Sequence, residues 1–372
     1  MLITEYERKS LNLHRRCPQE RCKQAQQESR VKTDMKIDIE VVKHKLLDIL
    51  RIWVLPVAMV AGVLGYVVCS ALPFPPAVHQ VGYVLVSRYV QPVLLFTMLF
   101  LSFSKVDPRD LRPKRWHLRL LVCQLCCMTV CSVLAWMVRL GVWPFAGCGH
   151  GALVLCEGAM LCFVCPTATA SAVVTGRLGG SVSGVTSYLL VCNLMVALVA
   201  PLLLTMVEPR TGLDFLTSMF MIMGKVFPLL VCPLIAAWVV KFLLPRLHKR
   251  IRQRTGLAFR IWAVSLTLAI AVSVRAIVTS RVSVWLLVGL ALVSLVCCVF
   301  QFGLGKMVGG GFDIAPSHRH RITAGQALGQ KNTVFIIWLG LVFLDPVTSI
   351  VGGLYSVWHN LINSYQLNKA RQ

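Results

Sequence analysis

Charge is scarce in this 372-residue sequence. Asp, Glu, Lys and Arg together make up 14% of it, against 56% hydrophobic residues, and mean hydropathy is +0.71. So little charge excludes a single soluble domain. Carboxylates are scarcer still, with 15 Asp and Glu against 38 Lys and Arg. The sequence has no H-E-x-x-H, no G-x-S-x-G and no pair of aspartates inside an apolar run. The common zinc-protease, α/β-hydrolase and intramembrane aspartyl-protease arrangements are therefore missing. The first long apolar run, which begins near residue 52, is not expected to be a cleavable signal peptide, since it starts too far from the N-terminus and has no small-residue cleavage pattern.

What is present is a series of apolar runs, each near the roughly 20 residues that cross a bilayer. Ten can be counted: 52 to 72, 83 to 103, 118 to 140, 152 to 176, 182 to 207, 215 to 244, 258 to 278, 282 to 305, 321 to 343 and 346 to 366. The expected fold class is an all-α polytopic membrane protein. Residues 1 to 45 are read as a polar, disordered tail, 46 to 367 as a ten-helix domain and 368 to 372 as a short C-terminal tail. A segment "MKIDIEVVKHKLLDILRIW" leads into span one, which makes Met35 an alternative start.

The net charge of +23 is a topology signal. Twelve Lys and Arg precede or open span one, and nineteen more fall in the connections after the even-numbered spans. The connections after the odd-numbered spans hold only Arg88, Arg139, Arg210, Arg275 and Arg281. This bias puts both termini in the cytoplasm, with the plasma membrane as the expected location. No aromatic-interleaved basic groove accompanies the charge, so nucleic acid is not an expected partner. The partners expected are the bilayer and a small organic anion, and oligomeric state is left open.

Fifteen cysteines are scattered mostly through apolar runs, with no histidine near the group Cys123, Cys126, Cys127 and Cys131. They read as small packing residues rather than metal ligands. No cofactor is expected.

Lys225 and Lys331 lie well inside spans, away from their ends. An intramembrane lysine costs about 2.5 to 3.5 kcal/mol on insertion scales and usually lines a cavity. Lys331 lies in "GQALGQKNT", which interrupts span nine; "CPTATASAVVTGRLGG" interrupts span four. Pro166 removes a backbone donor, and the Thr, Ser and Gly around it let a helix end and restart inside the membrane. Spans one and six each set a basic residue, a short apolar run and a proline in sequence, at Pro56 and Pro228. This suggests two inverted five-helix repeats with interruptions at equivalent places, a pattern that points to a midplane site. Half-helices restarting near Ser171 and Thr333 would offer free N–H groups to an anion. Spans four and nine are expected to cross there.

"CPTATASAVV" and "ALGQKNT" resemble the two crossing helices of the bile acid:sodium symporter family. The usual forms are Cys-Pro, two small residues, then Thr-Ala-Ser-Asn-Val, and Glu-x-Gly-Met-Gln-Asn-Thr. The resemblance covers residues 46 to 367. It implies alternating access between a panel (spans one, two, six and seven) and a core (three to five and eight to ten), and transport of an organic anion, from bile acids to smaller carboxylates. Carried across residue by residue, it implies a substrate and ion site of Thr169, Ser171, Ser181, Gln124, Gln330, Lys331, Asn332 and Thr333. The departures concern sodium. Ala172, Val185 and Ala327 stand where oxygen ligands are usual, Lys331 where a glutamine is, and Thr129 where a proline follows Gln124. A one-residue slip would instead place Gln326 and Gln330 at the acidic and glutamine positions.

Lys331 could then supply the charge that sodium normally brings. Desolvation disfavours the charged form of an amine, so proton coupling through Lys331, with Glu157 as companion acid, is the alternative to Na⁺. No catalytic residue is expected and the chain is not read as an enzyme. A passive channel and a Ser171/Lys331 hydrolase are the rival readings.

Overall fold

The computed structural model describes residues 56–106, 114–142, 147, 149–209, 212–254, 256–280, 282–310 and 318–370. The tail and the Met35 start lie outside these. The chain divides into two units, residues 1–57 and 58–372, and the description below is of the second.

The described residues form helices joined by turns: α1 (Pro56–Ala71), α2 (Pro76–Phe103), α3 (Arg115–Leu140), α4 (His150–Val164), α5 (Ser171–Arg177), α6 (Val182–Val207), α7 (Phe215–Leu243), α8 (Pro245–Gln253), α9 (Leu257–Ser280), α10 (Val284–Gly310), α11 (His318–Gly329), α12 (Thr333–Phe343) and α13 (Ile350–Lys369). Six of them, α2, α3, α6, α7, α9 and α10, are long and apolar enough to cross a membrane. The protein is an integral membrane protein.

The sequence-expected span two starts too late. α2 begins at Pro76, where proline suits the first helical turn because its missing N–H has no partner there anyway, and it continues through a π-turn at Val86–Val90. Spans one, four and nine appear as shorter apolar helices, four and nine being interrupted. Span ten corresponds to α13, whose His359, Asn360, Asn363 and Asn368 keep it less apolar than the six.

Local chemistry sets the helix ends. Asp214 accepts from the Thr217 N–H (3.0 Å) to start α7, and the Ser181 hydroxyl accepts from the Gly184 N–H (3.2 Å) to start α6. α3 stops at Gly141, where φ is +63°.

Packing places the core. α2 lies against α7 and α9, and α3 against α4 and α6. α10 lies against α4, α11 and α13. α6 is the most enclosed long helix, with 56% of its apolar window buried against 28–39% in the other five. α12 is apolar all round and buried along Thr333–Gly340. α10 and α11 approach so closely that a Cβ on Gly305 would stand 2.5 Å from the Ala324 carbonyl oxygen. α12 and α13 meet the same way, with Gly352 against Ile337 and the Thr333 carbonyl.

Candidate functional site

Helix α4 ends at Val164 and α5 begins at Ser171; α11 ends at Gly329 and α12 begins at Thr333. The two irregular stretches meet. Thr167 and Lys331 form an isolated antiparallel bridge. Ala168 N–H donates to the Gln330 carbonyl (2.8 Å), and Asn332 N–H to the Pro166 carbonyl (3.0 Å). Two chain segments that could not hydrogen-bond to lipid thus satisfy one another.

Several other carbonyls at the helix ends are taken up by side chains. Gln124 of α3 donates from Nε2 to the carbonyls of Phe163 (3.0 Å) and Cys165 (3.2 Å), while its Oε1 accepts from the Tyr188 hydroxyl of α6 (2.9 Å). On the other side Gln301 of α10 donates to the Cys162 carbonyl (3.2 Å) and to the Tyr355 hydroxyl (3.2 Å). Tyr355 in turn donates to the Gly329 carbonyl (2.8 Å). The Thr167 hydroxyl reaches the Ala327 carbonyl (2.6 Å), and Cys165 Sγ the Asn332 carbonyl (3.0 Å). Both glutamines thus bond carbonyls at the end of α4, each linked to a tyrosine, and Tyr355 carries the second link on to the end of α11.

Lys331 stands apart from this accounting. Its side chain is 1% exposed, and Nζ has no hydrogen-bond partner. The ionisable groups that bear most on it are the thiols of Cys192, Cys165, Cys162 and Cys127. No carboxylate is among them. The other intramembrane lysine differs, since the Lys225 ammonium lies 5.8 Å from the centroid of the Phe343 ring.

Several expected site residues lie together at the crossing. Gln330, Lys331, Asn332 and Thr333 are all buried in the second break or at its edge. Asn332 caps α12, its Oδ1 accepting from the Phe335 N–H at 3.4 Å, which leaves Nδ2 unpartnered. Gln330 Oε1 is also buried without a partner. Thr333 Oγ1 accepts from the Ser356 hydroxyl at 2.5 Å. On the first strand of the crossing Thr169 is half-buried, and the buried Ser171 hydroxyl donates to the Ala168 carbonyl (2.6 Å). That bond and the unpartnered Nζ mean that Ser171 and Lys331 are not hydrogen-bonded to each other. Gln124 reaches the site through the Cys165 carbonyl.

Two candidates lie further out. Ser181 caps α6, and its backbone N–H donates to Thr323 Oγ1 (2.9 Å). Glu157 is buried midway along α4, about 12 Å along the helix axis from Cys165, and accepts from the Thr348 hydroxyl (2.9 Å). The charged groups that bear most on it are Asp345, Arg139 and His150. It does not pair with Lys331.

Sequence reasoning missed Gln301, Tyr188 and Tyr355. A signal was available: Gln124 and Gln301 are each the only side-chain amide in a long apolar span. Among the described residues no group of three or more His, Cys, Asp or Glu could hold a metal ion. No family model matches the chain, nor does any curated protein match it.

Proposed function

We propose that the protein is a secondary active transporter of a small organic anion, working by alternating access in the manner of the bile acid:sodium symporters it resembles, with the crossing as its substrate site. The observation that carries this reading is the Lys331 Nζ, buried and without a partner between two broken helices; when protonated it is an uncompensated charge. A buried charge is retained at a cost of several kcal/mol unless something neutralises it, and the groups around this one are thiols. An incoming carboxylate supplies the missing partner. Asn332 Nδ2, unpartnered, would donate to it, and Thr169, Ser171 and Thr333 would contribute hydroxyl groups, while Gln330 Oε1 would accept from a donor elsewhere on the substrate.

The same ammonium argues against sodium at this position, because a fixed cation repels a mobile one. Lys331 then takes the electrostatic place of the ion, and coupling passes to protons or is lost. α2 packs with α7 and α9, and α3, α4, α6, α10, α11 and α13 pack among themselves, with α6 also lying against α7; a panel and a core would meet along that α6–α7 seam. The reading assigns no catalytic residue.

The test is uptake of labelled carboxylates into proteoliposomes, with external Na⁺ present or replaced by choline. Saturable, Na⁺-independent uptake that Lys331→Met abolishes supports the reading. Linear, non-saturable flux would point to a passive channel, and absence of flux for every acid in the panel overturns the transport assignment.

A further inference from the structure

Helix α8 follows α7 after a break at Leu244, whose backbone (φ −127°, ψ 60°) leaves the helical region. It packs mainly on α7, and His248 Nε2 ties it to the end of α2 by donating to the Ser104 carbonyl at 2.8 Å. That bond fixes which way the short helix faces. Arg246, Lys249 and Arg250 share one face at i, i+3 and i+4, with Arg252 at its edge, and all four are exposed. Leu247 and Ile251, one turn apart, lie on another face, and Ile251 is half-buried like His248.

Charge is divided unevenly between the two ends of α7. Asp214 caps its start. Glu208, just before that start, pairs with Arg139; Asp345 pairs with His150; and the charges that bear most on Glu157 are Asp345, Arg139 and His150. These four are the carboxylates among the described residues, and they gather toward the end where α7 begins. α8 lies at the other end. Among the described residues no carboxylate pairs with Arg246, Lys249, Arg250 or Arg252.

The surface beside these cations identifies the source of the missing anion. Phe242, Leu243, Leu244 and Leu247 are all exposed, Leu243 to 73%, where a helix long and apolar enough to cross a membrane comes to its end. The surface therefore changes from apolar to cationic within about one turn. A leaflet makes the same change, from acyl chain to phosphate. A soluble anion would answer the cations alone and leave the apolar side chains as they are.

We propose that α8 is an interfacial helix that binds anionic phospholipid headgroups, with Arg246, Lys249 and Arg250 on the phosphates and Phe242, Leu243 and Leu247 against the acyl chains. Such basic segments draw their affinity from the negative charge of the leaflet, added to the burial of their apolar face. A zwitterionic lipid brings no net charge to the cations. The site is separate from the crossing and does not depend on the transport reading.

The experiment uses the full chain in a neutral detergent. Bound lipids are counted by native mass spectrometry as phosphatidylglycerol or phosphatidylcholine of equal chain length is added. Saturable binding that favours phosphatidylglycerol is expected. Arg246→Gln, Lys249→Gln and Arg250→Gln together should weaken the tightest phosphatidylglycerol adduct about a hundredfold, each basic residue at a membrane surface being worth roughly fivefold. Leu247→Gln should weaken it about threefold. The same loss of charge through Arg319→Gln, Arg321→Gln and Lys369→Gln, at exposed positions on α11 and α13, should leave it within about twofold. Equal binding of the two lipids, a preference that survives the α8 triple variant, or an equal loss in the second triple variant would each overturn the proposal. So would competition by glycerophosphoglycerol, the headgroup without its chains, as strong as that of the lipid. Should the α8 triple variant not fold, Lys249→Gln alone decides, with about a fivefold loss expected and unchanged binding overturning the proposal.

Discussion

Thr167 and Lys331 face one another across a single antiparallel bridge, where the irregular stretches between α4 and α5 and between α11 and α12 meet. Their backbones are paired. Their side chains part company, for the threonine hydroxyl donates to the Ala327 carbonyl while the lysine ammonium has no partner at all.

Lys331→Met keeps most of the side-chain volume and removes the unpaired charge. The variant is expected to unfold at a higher temperature, gaining about 1 to 3 kcal/mol, because an unsatisfied buried polar group is a standing penalty. Uptake should vanish at the same time. Thermal unfolding in detergent beside proteoliposome uptake checks both, and a fall in stability would mean that the ammonium has a partner in the folded protein.

Replacing Na⁺ by K⁺ or choline should leave uptake by the unmodified protein intact. Lys331→Gln removes the charge and offers an oxygen, so its residual uptake is expected to become Na⁺-dependent. Lys331→Arg should still bind substrate but show no proton coupling, since guanidinium stays charged at accessible pH. Strict Na⁺ dependence of the unmodified protein, with normal uptake by Lys331→Ala, would remove Lys331 from the mechanism.

Gln124→Leu strands the Phe163 and Cys165 carbonyls and the Tyr188 hydroxyl in one step. A loss of about 2 to 4 kcal/mol follows from the cost of unsatisfied buried groups. Tyr188→Phe removes one bond and should cost about 1 kcal/mol. The double variant should lose less than the sum, because the pair shares a bond; strict additivity would show that the two act separately.

Two glycine substitutions should differ in sign. Gly305→Ala drives a methyl group to within 2.5 Å of the Ala324 carbonyl oxygen, which costs about 1 to 3 kcal/mol of overpacking. Gly65→Ala in α1 meets no atom within 4 Å and should stabilise by roughly 0.5 to 1 kcal/mol through helix propensity alone. Comparing their unfolding midpoints with that of the unmodified protein tests the pair.

Much of the architecture was legible because membrane helices write themselves locally. Apolar runs and the breaks at Pro166 and Gly329 are properties of neighbouring residues, and the helices resume at Ser171 and Thr333. The start of α2 was misread because Pro76 to Gly82 is only moderately apolar, although proline at a helix start was itself a cue. The carbonyl caps from Gln301 and Tyr355 depend on which helix stands beside which. That is decided by packing between residues 139 apart for Gln301 and Cys162 and 26 apart for Tyr355 and Gly329, and no local pattern encodes it. Glu157 was linked to Lys331 as an acid inside the first half of span four, eight residues before Cys165. The structure instead gives it Thr348 and the charges at the far end of α4.

The close seam at Gly305 and its counterpart at Gly352 divide the second crossing mechanically. Only a residue without a side chain fits at either seam, so each half of the interrupted helix lies close against a different neighbour, α11 on α10 and α12 on α13, with Gln330, Lys331 and Asn332 as the short link between them.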